Sequence, residues 1–67
     1  MSDTPEQDRI NDAYSDAIKT LYQVFAQAYT AALGNDAGQR QAEANFQRGI
    51  NHARHLRDRA ITLIPQA

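Results

Sequence analysis

Leu33-Gly34-Asn35-Asp36-Ala37-Gly38 is the stretch that decides the fold of this chain of 67 residues. Gly34 is placed to adopt the left-handed conformation that stops a helix, because it has no Cβ to clash there. Asn35 or Asp36 can cap the next helix, and Asp36 to Gln39 has the spacing of a capping box. The connection is then about two to four residues long. A link that short forces the flanking helices to lie side by side and antiparallel.

Outward from the turn, both helices have readable far ends. Thr4-Pro5-Glu6-Gln7 is a helix start: Thr4 caps, Pro5 suits the first helical position, and Gln7 completes a capping box. Asp3, Glu6 and Asp8 put negative charge where the helix dipole favours it. Pro65 stops the second helix after Ile64. The predicted fold is all-α, an antiparallel hairpin of helices over about 5–33 and 37–64, in a single domain spanning 1–67. No segment alternates as a strand would.

The apolar residues repeat with the heptad period. Ile10, Tyr14, Ala17, Leu21, Val24, Ala28 and Ala31 form one seam, and Ala42, Phe46, Gly49, Ala53, Leu56, Ala60 and Leu63 form the other. A fold at Asp36 faces positions whose numbers add to about 73, so Val24 meets Gly49, Leu21 meets Ala53 and Ala17 meets Leu56. Large residues then oppose small ones, as dense packing requires.

One hairpin does not cover this surface. No charged residue lies between Lys19 and Asp36, and a second apolar row (Ile18, Phe25, Ala32) runs beside the first seam. A stripe that wide calls for more than one neighbouring helix. The chain has no cysteine, which removes disulfides, thiolate metal sites and a thiol nucleophile at once. Below about 70–80 residues a core needs a staple, and self-association is the one left. A homodimeric four-helix bundle is therefore expected, with Ile18, Tyr22, Phe25, Tyr29, Ala32, Ile50, Arg57 and Ile64 at the interface. Arg57 is expected to pack its stem and send its head to a carboxylate such as Asp16.

Seven basic and eight acidic residues give a net charge of −1, which steers the chain toward neither nucleic acid nor membrane. No apolar run reaches the ~20 residues of a membrane span, and the polar start is not that of a signal peptide, so a cytoplasmic protein is expected. Arg48, His52, His55 and Arg59 do step along one line of the second helix, with Arg54 nearby. Such a ridge could touch phosphates or an acidic surface. The acidic half of helix one (Asp3, Glu6, Asp8, Asp12, Asp16) lies alongside and is expected to neutralise much of it. His52 and His55 bring too few ligands together for a zinc site, so no metal or cofactor is expected. Tyr14, Tyr22 and Tyr29 read as seam and interface aromatics. No nucleophile is paired with a base and no glycine-rich phosphate loop exists, so the chain is expected not to be an enzyme.

The predicted architecture resembles the plasmid copy-number protein ROP, a dimer of helical hairpins that binds RNA loop pairs. The resemblance covers length, heptad layers and the short loop. It includes no motif, so it assigns no binding residue. The expected role is a non-catalytic homodimeric interaction or regulatory module. The alternatives are an RNA- or DNA-binding dimer using the basic ridge, and an accessory subunit docked on a larger protein through the Thr20–Asn35 face.

Overall fold

Thr4 opens the first helix by a reciprocal exchange. The backbone N–H of Gln7 donates to its hydroxyl oxygen at 3.1 Å, and its own N–H donates to the Gln7 side-chain oxygen at 3.2 Å. Two of the donors a helix start leaves unpaired are satisfied this way, and Pro5 has no N–H to lose. The computed structural model describes residues 4–65; Asp3 lies outside them. Helix α1 runs Pro5–Ala31 and helix α2 runs Asp36–Leu63. The two pack against each other as an antiparallel hairpin, 54 Å long and 15 Å across.

The turn comes two residues earlier than expected, and its four residues, 32–35, lie within the expected length. α1 stops at Ala31, and Leu33 and Asn35 then donate to the carbonyls of Thr30 and Ala32 at 3.2 and 2.9 Å. Gly34 carries the positive φ, +83°, that lets the chain reverse. Asn35, not Asp36, caps α2: its side-chain oxygen accepts from the Gly38 N–H at 3.1 Å. Gly38 brings the two ends together, since a Cβ there would lie 2.9 Å from the Ala32 Cβ.

The early reversal shifts the register. Phe25 faces Phe46 with ring centroids 5.0 Å apart, and Tyr14 faces Arg57, pairs whose numbers add to 71. Leu21 meets Gly49 instead of Ala53. The helices are also rolled about their axes. The seam between them takes the half-buried Ile10, Tyr14, Ile18, Leu21 and Phe25 of α1 against Phe46, Ile50, Ala53 and Arg57 of α2 and Ile64 just after it. Val24, Ala28, Ala31, Leu56 and Leu63, expected on that seam, are exposed. The reason is area: a helix with one neighbour gains more by covering Phe25 and Ile18 than by covering Val24 and Ala28.

Candidate interaction surface

Rolling the bulky row inward leaves a long apolar face on one side of the hairpin. At 3.6 residues per turn, Ala13, Ala17, Thr20, Val24, Ala28 and Ala31 share one face of α1. Leu56, Ala60 and Leu63 flank the seam on the same side of α2. An open groove of about 610 Å³ runs there between the helices, lined by Ala13, Ala17, Leu21, Gly49, His52 and Leu56 among others. A smaller hollow of about 70 Å³ continues it toward the turn past Val24, Ala28 and Asn45. Val24 is 59% exposed, Leu56 54% and Leu63 64%. The opposite side differs: Tyr22, Ile50 and Ile61 are interrupted by Glu43, Gln47 and Arg54 on α2.

The residues expected at a partner interface are divided by the structure. Ile18, Phe25, Tyr29, Ala32, Ile50, Arg57 and Ile64 are half-buried, while Tyr22 is 60% exposed. Phe25 lies between Tyr29 and Phe46, with ring centroids 5.4 and 5.0 Å away. Arg57 differs from expectation in its partners. Its guanidinium stands 4.4 Å over the Tyr14 ring and pairs with Asp58 at 2.9 Å, not with Asp16. The antiparallel register delivers Tyr14 to that level, where its ring face attracts the cation. The heptad spacing carried no signal for this contact, because positions adding to about 73 set Arg57 against Asp16.

Arg48, His52, His55 and Arg59 are all exposed on one edge of α2, and His52 reaches the groove. Arg54 is exposed about 130° further round the helix. Asn45 accepts from both Arg48 and Gln41. Among the described residues the one ion pair is Arg57–Asp58, so no carboxylate of α1 bonds the ridge across the hairpin. The expected neutralisation is thus not made by direct pairing. Asp12 and Asp16 sit exposed on the outer edge of α1, at the same end of the hairpin as Arg59. No described helix is long and apolar enough to cross a membrane.

Fold and surface together define a helical hairpin with an uncovered apolar face. Set against family models, curated proteins and solved structures, the chain matches none of them.

Proposed function

We propose that this chain is a non-catalytic interaction module that acts as a homodimer, two hairpins closing over the Val24–Leu56 face into a four-helix bundle. One observation carries this reading: Ala42 is the only buried residue among those described, while large apolar residues lie open on a single face. A hairpin with one buried alanine has almost no core of its own, and chains this short need outside support to stay folded. The chain exposes 5350 Å². A compact protein of 7.5 kDa exposes about 4200 Å². The excess is of the scale that one partner covers in a standard interface, about 800 Å². A cysteine-free chain of this kind suits the reducing cytoplasm.

Light scattering at micromolar concentration tests the reading. Twice the chain mass of 7.5 kDa, with a melting temperature that rises with concentration, is the expected result. A well-folded monomer overturns it. A stoichiometric complex with a larger protein in place of the dimer would turn the same face to an accessory-subunit role.

A second reading, an RNA-binding dimer, is favoured by the ridge of Arg48, His52, His55 and Arg59 lacking ion pairs within the hairpin. Binding would then weaken steeply with salt and with Arg48→Ala plus Arg59→Ala. No shift of mixed RNA at low salt ends it.

A further inference from the structure

Two hairpins can close face to face about a twofold axis in two ways. With the axis along the hairpin, the turns lie at the same end and each α1 rests on the partner's α2. With the axis across it, the turns lie at opposite ends, α1 rests on α1 and α2 on α2. Apolar packing does not choose between them, because Val24 finds small residues either way. Charge does choose. The ridge from Arg48 to Arg59 includes the middle of α2, which runs Asp36–Leu63. Turns at opposite ends therefore bring Arg48 against Arg48 of the other copy and carry Arg59 away from the partner's Asp12 and Asp16. Turns at the same end lay it beside the α1 edge that carries Asp12 and Asp16, at the level where Arg59 stands. Those carboxylates and Arg59 are exposed and make no ion pair within the hairpin.

Resting on the homodimer proposed above, we infer that the second copy docks with its turn beside the first copy's turn. Arg59 of each chain then lies level with Asp12 of the other, and His55 level with Asp16. Exposed pairs of this kind contribute little affinity singly. Their effect is to select one orientation, since like charges brought together penalise the other.

Because the chain has no cysteine, a spin label at Ala37→Cys reads the geometry directly. Neighbouring helix axes stand about 8–10 Å apart, so turns at the same end put the two labels within roughly 30 Å. Turns at opposite ends separate them by more than about 40 Å, the length of a helix of this size. The short distance supports the inference. The long distance overturns it and leaves the homodimer standing. A label with no partner overturns both. A charge exchange gives an independent check that does not depend on the label. Arg59→Asp alone weakens the dimer roughly tenfold, as does Asp12→Arg alone, and the two together restore it. Failure of the double variant to recover any affinity counts against the pairing.

Discussion

The Leu21 side chain fills the space in which a Cβ on residue 49 would stand, so Gly49 is a socket for Leu21 across the hairpin. Glycine inside a helix costs about 1 kcal/mol relative to alanine. Here that cost is offset by close approach of the two helices. The colliding atom is the far end of a flexible side chain, so Leu21 can give way at some loss of packing. Gly49→Ala is therefore expected to change stability by less than about 0.5 kcal/mol. In a Leu21→Ala background the same change is expected to stabilise by about 1 kcal/mol, with the socket empty. Denaturation of the four members of this double-mutant cycle checks the coupling.

Arg57 is held by the Tyr14 ring more than by Asp58. The Asp58 side chain is 67% exposed, and ion pairs in such surroundings are worth little. Asp58→Asn is expected to cost under about 0.5 kcal/mol, and Arg57→Ala about 1 kcal/mol, from the lost ring contact and stem packing. Tyr14→Leu should approach the Arg57→Ala loss, whereas Tyr14→Phe should not. Thermal melts of these variants in low and high salt separate the two contributions, because salt screens the ion pair far more.

The helix ends are independent of the seam and should respond additively. Thr4→Ala removes the acceptor for the Gln7 N–H and is expected to cost about 1 kcal/mol. Gly34→Ala forces a Cβ onto a residue at φ +83° and is expected to cost about 1 kcal/mol, although nothing crowds the site. Circular dichroism melts of the single and double variants test both size and additivity.

The exposed face gives the opposite signature. Leu56→Glu and Val24→Glu put charge where the hairpin itself is already open, so each should leave the seam contacts intact. In a dimer closed over that face the charge has to be desolvated, so association should fall by at least about tenfold. Sedimentation, together with loss of the concentration dependence of melting, reads this. Tyr22→Glu, on the other side, should leave the mass unchanged.

The ends of both helices and the bend between them were legible in the residues. A cap, a proline at the first helical position or a glycine in the turn works through bonds spanning three or four residues. Thr4, Pro5, Gln7, Gly34 and Pro65 announce themselves for that reason. Even so, Asp36 and Asn35 compete for one cap, and Asn35 takes it because its side-chain oxygen meets the Gly38 N–H.

The amino-acid order by itself determined that two long helices form, where they turn, and that more apolar surface exists than two helices can hide. Only the tertiary structure decided which part of that surface is hidden. Two adjacent rows on α1, one through Ile18 and Phe25 and one through Val24 and Ala28, are both apolar, so periodicity is satisfied by either. The single neighbour takes the bulkier row, where Phe25 meets Phe46, and rolls Val24, Leu56 and Leu63 outward. The outcome depends on contacts between residues more than twenty positions apart, and pattern within one helix carries no record of them.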